Sequence, residues 1–239
     1  MASFLIGSCA FISSCKDDFA DINTNPTIVS KPDPRYLFTQ ALANFDGHDY
    51  FAWYYDYNNM LRWSQTVAST GGNENLMTTM SNSGKMGSQV YNVMNQVNEL
   101  TYIVNTTLEG EEQAKYTYLK ALCQPLMIYL AMWDTDMYGS MAYTEAYQAR
   151  YGGTLTPKYD TQAELFDLWE KQLKETVETL ANDVTIDGNK VTQQSLGSQD
   201  IIYQGDYTKW LKFANSLRLK LAVRLINEDK NLSLIHISE

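Results

Sequence analysis

The stretch DIIYQGDYTKWLKFANSLRLKLAVRL, Asp200 to Leu225, decides the fold class of this chain. Its apolar residues recur every three or four positions, which places them on one stripe of a helix. They are Trp210, Phe213, Leu217, Leu221 and Leu225. Asp206 precedes the stripe and carries the side-chain oxygen that an N-cap residue uses. The stretch therefore predicts a helix that starts after Asp206, buries Trp210 and Phe213 in the core, and exposes Arg218 and Arg224 on its polar face.

The same periodicity predicts further helices on the amino-terminal side. Pro34 suits the first turn of a helix, and an apolar stripe follows it from Leu37 to Phe45. Thr161 and Glu164 have the spacing of a capping box, which opens a helix that continues to Leu180. Three more predicted helices span about Tyr50 to Val67, about Met86 to Leu108, and from the GEE break at 110–112 to Trp133.

Long irregular segments connect these helices at 69–87, 134–159 and 182–206. An antiparallel hairpin is expected from the helix predicted at about Met86–Leu108 and the next helix, which ends at Trp133. Cys123 is expected to be a small, inert core residue of that second helix. Paired helices of similar length are typical of helical solenoids. The sequence therefore predicts an all-α fold of tetratricopeptide-like helical pairs with long irregular loops, although no strict repeat consensus is visible.

Charge and composition exclude several classes of function. The chain has 239 residues and a net charge of −10, and its basic residues form no dense run. Nucleic acid is not an expected partner, because neutralising phosphates requires clustered Lys and Arg. Only two histidines are present, His48 and His236, so neither a histidine-based metal site nor a catalytic triad is expected. We expect no metal and no cofactor.

The amino terminus resembles the end of a lipoprotein signal. Residues 2–14, ASFLIGSCAFISS, are apolar or small and uncharged, and the chain turns polar directly after Cys15. Residues 1–14 are therefore predicted to be a signal-peptide remnant, with Cys15 lipidated and 15–34 forming a tether. Cys9 is the alternative lipidation site, and a buried amino-terminal strand or helix is the alternative to a signal. The helical domain is predicted at 35–230, followed by an atypical tail at 231–239.

Aromatic residues cluster in the helix predicted at about 50–67, beside a loop rich in Asn and Gly. Sugars present apolar C–H faces that stack on aromatic rings, and side-chain amides bond their hydroxyls. The predicted ligand-binding residues are Tyr50, Trp53, Tyr54, Trp63, Asn73 and Asn75. The alternative for each ring is ordinary packing of helix against helix.

Acidic residues give a weaker indication of chemistry. Asp134 and Asp136 form a D-x-D pair, which holds a divalent cation in some enzymes, but a solvated or hydrogen-bonded turn is the preferred interpretation. Glycoside hydrolysis needs a pair of carboxylates, and no motif selects one among the 28 acidic residues. The chain is therefore not expected to be an enzyme.

Three segments together resemble the SusD/RagB family of surface lipoproteins. They are CKDDFADINTNP (15–26), DMYGSMAYTEAYQ (136–148) and the stretch at 200–225. The second is similar to the family's D-x-Y-G-x-x-P-Y-x-E-A turn, with Met141 and Ala142 where an apolar residue and proline are commoner. The resemblance covers nearly all of 15–230, and members are about twice as long, so the chain is expected to be an amino-terminal half.

The resemblance implies a tetratricopeptide-like fold, lipid anchoring in the outer membrane, and a TonB-dependent (SusC-like) transporter as partner. It implies that the protein captures glycan or peptide nutrients and delivers them to that transporter. Asp21, Asn23, Asn25 and Pro26 of the tether are expected at the transporter interface. The alternatives left open are a helical-repeat adaptor that binds a protein partner and an all-helical glycosidase.

Overall fold

The computed structural model of the chain describes residues 33–45, 60–68 and 88–226. The signal remnant (1–14), nearly all of the tether (15–34), the loop at 69–87 and the tail at 231–239 lie outside these residues. Most of the aromatic helix at about 50–67 lies outside them too.

The described residues are mainly helical, which confirms the predicted all-α class. The helices are α1 (Pro34–Ala43), α2 (Leu61–Trp63), α3 (Ser88–Thr107), α4 (Gly110–Ala114), α5 (Thr117–Tyr138), α6 (Gln162–Ala181) and α7 (Tyr207–Arg224). Short 3-10 helices cover Ala149–Tyr151 and Gly197–Gln199, and a hairpin pairs β1 (Thr185–Ile186) with β2 (Asn189–Lys190).

Packing follows the expected pairing of neighbouring helices. Helix α3 packs on α5, α5 on α6, and α6 on α7, while α1 lies against α3. The apolar stripes meet in one core whose largest fully buried side chains include Phe38, Leu100, Leu126, Trp169 and Trp210. Burial of about 25 cal/mol per Å² of apolar surface drives this association.

Two predicted helix starts are confirmed by their caps. At the start of α6, the Thr161 hydroxyl accepts from the Glu164 N–H at 3.3 Å, while the Glu164 carboxylate accepts from the Thr161 N–H at 2.8 Å. At the start of α7, the Asp206 carboxylate accepts from the N–H groups of Thr208 and Lys209. Both caps satisfy backbone donors that the first helical turn leaves without partners.

A buried carboxylate explains the DIIYQGDYTKW sequence. Asp200 is fully buried and accepts from the N–H groups of Ile202 and Tyr203 at 3.1 and 3.0 Å and from that of Gly205 at 2.9 Å. The indole N–H of Trp210 donates to the same carboxylate at 2.7 Å. Gly205 has a φ of +83°, a conformation that side chains with a Cβ rarely adopt. The turn therefore joins the loop to the core tryptophan of α7.

Cys123 has the environment expected of an inert core thiol. Its side chain is fully buried, and the Sγ atom donates to the Leu119 carbonyl at 3.3 Å. Burial raises the pKa of the thiol to about 12, so it stays protonated.

Several boundaries differ from the prediction. The GEE sequence belongs to the short helix α4, and α5 runs five residues past Trp133, to Tyr138. Trp133 itself is 39% exposed, because it lies on the outer side of α5, whereas its neighbours Met132 and Asp134 are buried. The segment at 182–206 includes the β1–β2 hairpin, whose turn has Gly188 at φ +80°.

The placement of Arg218 on an exposed polar face was wrong. Its guanidinium is buried between α6 and α7 and bonds the Glu170 carboxylate at 2.9 and 3.1 Å. A helix packed on a neighbour buries polar positions at the edge of its apolar stripe when they find a partner. Arg224, in contrast, pairs with Asp136 at the partly exposed end of α5.

Candidate functional site

The residues predicted to bind ligand, membrane or partner fall mostly outside the described chain. These are Cys15, Asp21, Asn23, Asn25, Pro26, Tyr50, Trp53, Tyr54, Asn73 and Asn75. Trp63 is described, and it ends α2 with 39% of its surface exposed. Its ring is therefore not enclosed in the core, although its role in binding stays a prediction.

The family-like turn at 136–148 is tied to α6 through Asp160. Met141 and Asp160 exchange backbone hydrogen bonds of 3.1 and 2.8 Å. The buried Asp160 carboxylate accepts from the N–H groups of Tyr143 and Thr144 at 3.2 and 2.8 Å. Burial opposes ionisation, but the bonds from Thr144, Lys158 and Tyr143 outweigh it and hold the pKa of Asp160 below its usual value. The turn is thereby fixed as a rigid support.

This turn holds Tyr147 against α3. Tyr147 has a φ of +60°, which is uncommon for a residue other than glycine, and its ring centroid lies 6.3 Å from that of Tyr91. The Tyr91 hydroxyl in turn donates to the Ala142 carbonyl at 3.0 Å. Strained backbone conformations of this kind concentrate at functional sites.

Helix α3 presents aromatic and amide side chains along one outer face. Tyr91, Asn95, Asn98 and Tyr102 follow the spacing i, i+4, i+7 and i+11, which keeps them on one side of the helix. All four are exposed or half-buried. Together with Tyr147 from the turn and Tyr151 from the 3-10 helix that follows it, we call these residues the tyrosine–amide surface.

The far end of this surface is ordered by a ring stack and an ion pair. The rings of Tyr102 and Tyr151 stack with centroids 4.6 Å apart and planes inclined by 26°. The Glu99 carboxylate accepts from the Tyr151 hydroxyl at 2.9 Å and from the Arg150 guanidinium at 3.0 Å. Burial and this carboxylate raise the pKa of Tyr151 to about 12, so its hydroxyl remains a hydrogen-bond donor.

A cavity of about 270 Å³ opens beside the surface, between α3, α5, α6 and the turn. Its polar lining includes Asn98, Gln124, Gln148 and Gln172, and we call it the amide cavity. Asn98 belongs to both the cavity and the tyrosine–amide surface, so the two are continuous. Such an arrangement of flat rings and neutral hydrogen-bonding groups suits an uncharged, hydroxyl-rich ligand.

The D-x-D pair does not form a single site. Successive α-helical residues are rotated by about 100°, so the side chains of Asp134 and Asp136 point to nearly opposite sides of α5. Asp134 is buried, and desolvation raises its pKa to about 7, whereas Asp136 pairs with Arg224. Within 33–45, 60–68 and 88–226, no three side chains of metal-binding type come together. None of the helices in these ranges has the length and apolarity needed to span a membrane.

Sequence reasoning missed the tyrosine–amide surface because it searched α3 for its apolar stripe. The Tyr and Asn residues on the opposite face have an equally regular spacing, which was the available signal. The partners Tyr147 and Tyr151 had no such signal, since they lie in a segment without periodicity.

Solved structures with this fold include SusD homologues. A SusD homolog from Parabacteroides distasonis is 20% identical, with a TM-score of 0.64 over 85% of this chain and 37% of its own. A chitin-binding protein is 22% identical, with a TM-score of 0.61 over 85% of this chain and 41% of its own. A SusD/RagB family protein from Bacteroides thetaiotaomicron is 20% identical, with a TM-score of 0.52 over 85% and 40%.

These likenesses establish the fold, and the chain spans less than half the length of these relatives. No curated protein matches the chain. A SusD-like family described as "Starch-binding associating with outer membrane" matches residues 26–238. Because this match covers most of the sequence, the chain belongs to that SusD-like family.

Proposed function

We propose that this protein binds a starch-type α-glucan at the outer membrane and that the tyrosine–amide surface is a contact site for that glucan. The observation that carries the proposal is the regular row of Tyr and Asn side chains on α3 in a member of a family described as starch-binding. The "chitin-binding" neighbour supports a glycan as the broader ligand class.

The chemistry of the surface favours a neutral polysaccharide over a charged ligand. Tyr102 and Tyr147 are 44% and 39% exposed, so part of each side chain is accessible to a ligand. Asn95 and Asn98 supply both donors and acceptors for sugar hydroxyls. The charged groups beside them, Glu99 and Arg150, are paired with each other.

The proposal extends to anchoring and delivery. Cys15 would carry the lipid, the residues Asp21, Asn23, Asn25 and Pro26 would contact a TonB-dependent, SusC-like transporter, and bound glycan would pass to that transporter. The description of the family as associating with the outer membrane supports this location. Mass spectrometry of the membrane fraction tests the anchor, and an unmodified Cys15 after signal removal would contradict it.

The protein is proposed to bind without catalysis. A glycosidase needs two carboxyl groups across a scissile bond. The carboxylate at the surface, Glu99, is held by Arg150 and Tyr151 and has no second carboxyl group placed against it in the contacts described. Release of reducing ends from starch by the purified protein would contradict this part of the proposal.

Binding to the full chain is tested with a glycan array that includes malto- and chito-oligosaccharides, followed by calorimetry on Tyr102→Ala. Loss of one stacking ring is expected to weaken binding by about 1–2 kcal/mol, or roughly tenfold. The matched control is Tyr36→Ala on α1, an exposed tyrosine outside the surface. Equal affinities for wild type and Tyr102→Ala would exclude this surface, and the absence of any glycan binding would reject the function.

A further inference from the structure

Two half-buried glutamines, Gln124 and Gln172, form the floor of the amide cavity, which shares Asn98 with the tyrosine–amide surface. Its walls come from α3, α5, α6 and the turn, through Asn98, Gln124, Gln172 and Gln148. A second cavity between α5 and α6 lies on the other side of Gln124 and Gln172, which line both. The amide oxygens of these two glutamines are inaccessible to water, and the two residues separate the cavities that they both line.

Both floor glutamines have unsatisfied hydrogen-bonding groups. Neither Gln124 Oε1 nor Gln172 Oε1 has a hydrogen-bond partner among the described residues. An enclosed acceptor without a donor is unfavourable by about 1–3 kcal/mol. The terminal torsion of glutamine is broad, so a rotation about that bond turns each oxygen toward a donor that enters the cavity. The floor is therefore prepared for a ligand with hydroxyl groups.

The rest of the lining fits a sugar ring. Met94, Met127 and Leu168 give the cavity an apolar side, and Tyr143, which also belongs to the lining, packs edge-to-face on Trp169. The volume of about 270 Å³ lies just below the ~300–1,000 Å³ typical of small-molecule sites, which limits the cavity to about one sugar unit. The cavity lining contains no Asp, Glu, Lys or Arg, so a neutral ligand is favoured.

We propose that the amide cavity is the subsite for one terminal sugar unit of the glucan that lies on the tyrosine–amide surface. This inference rests on the proposed function. Because the cavity accommodates about one sugar unit, a terminal unit, which leaves through a single glycosidic link, fits it better than an internal unit, which needs two. The protein would then recognise linear α-glucans by their ends, with the surface holding the units that follow.

The test compares a linear with a cyclic α-glucan. Calorimetry on the full chain uses maltoheptaose and β-cyclodextrin. Both consist of the same glucose units, but only maltoheptaose has chain ends. Wild type is expected to bind maltoheptaose at least about tenfold more tightly than β-cyclodextrin, which corresponds to a difference of about 1.4 kcal/mol in binding free energy. The double variant Gln124→Leu/Gln172→Leu should lose that advantage and bind β-cyclodextrin as wild type does.

Controls separate this inference from the function on which it rests. Gln40→Leu on α1 changes an exposed glutamine outside the cavity and should bind both sugars like wild type. The double variant should melt at or above the wild-type temperature, because leucine removes two buried amide oxygens that have no hydrogen-bond donor in the described part of the chain. If Tyr102→Ala weakens binding but the double variant keeps full preference for maltoheptaose, the terminal subsite is rejected and the function stands. If wild type binds neither sugar, both are rejected.

Discussion

Replacing Asp200 by asparagine tests whether the buried carboxylate organises the turn before α7. In the native turn one oxygen accepts from Ile202 and Tyr203, and the other accepts from Gly205 and the Trp210 indole, at distances of 2.7–3.1 Å. Asparagine keeps the shape and one acceptor oxygen, but its NH₂ group faces the Gly205 and Trp210 donors.

The expected effect is large for a substitution that changes so few atoms. Each buried donor that loses its acceptor costs ~1–3 kcal/mol, so Asp200→Asn should lower the free energy of unfolding by about 2–6 kcal/mol. Domains are stable by only about 5–15 kcal/mol, so the variant should have a much lower urea midpoint. Urea denaturation followed by circular dichroism measures this difference.

The matched control makes the same chemical change six positions later. Asp206→Asn keeps an N-cap of about equal quality at a partly exposed site, so its effect should stay within about 0.5 kcal/mol. Trp210→Phe adds a second check, because it removes the indole donor and keeps most of the ring. In the Trp210→Phe background, Asp200→Asn should lower the free energy of unfolding by less than it does in the wild-type protein, because the indole donor is already absent. A loss below about 1 kcal/mol, or one equal to that of Asp206→Asn, would refute the reasoning.

Two further predictions concern Asp134 and Trp63. Burial raises the pKa of Asp134 from its ordinary value to about 7, so its contribution to stability is full below about pH 4 and is lost as the pH rises to about 7. Between pH 4 and 8, the free energy of unfolding of Asp134→Asn should therefore rise relative to that of wild type by up to about 4 kcal/mol. If the two free energies of unfolding keep a constant difference across that range, the raised pKa of Asp134 is contradicted. Trp63→Ala should lower the free energy of unfolding by less than about 1 kcal/mol, because the ring is partly exposed. Trp210→Ala in the core should lower it by ~3–5 kcal/mol, and the melting temperatures of both variants show which loss is larger.

Local sequence determined the helices and where several of them begin. The α3, α6 and α7 stripes are repeats within a single helix, and the caps at Thr161 and Asp206 act on donors two or three residues away. These interactions are short-range, so residue spacing is sufficient to predict them. The family-like segments at 136–148 and 200–225 were also recognisable without coordinates.

The tertiary structure alone decided how distant segments meet. Tyr102 and Tyr151 stack across 49 positions of sequence, Arg218 bonds Glu170 of another helix, and the amide cavity needs side chains from three helices. A spacing rule describes one helix, whereas the packing of side chains from several helices determines which polar groups are buried and paired. For that reason the sequence identified the family and its helices, and the folded chain brought together the tyrosine–amide surface and the amide cavity.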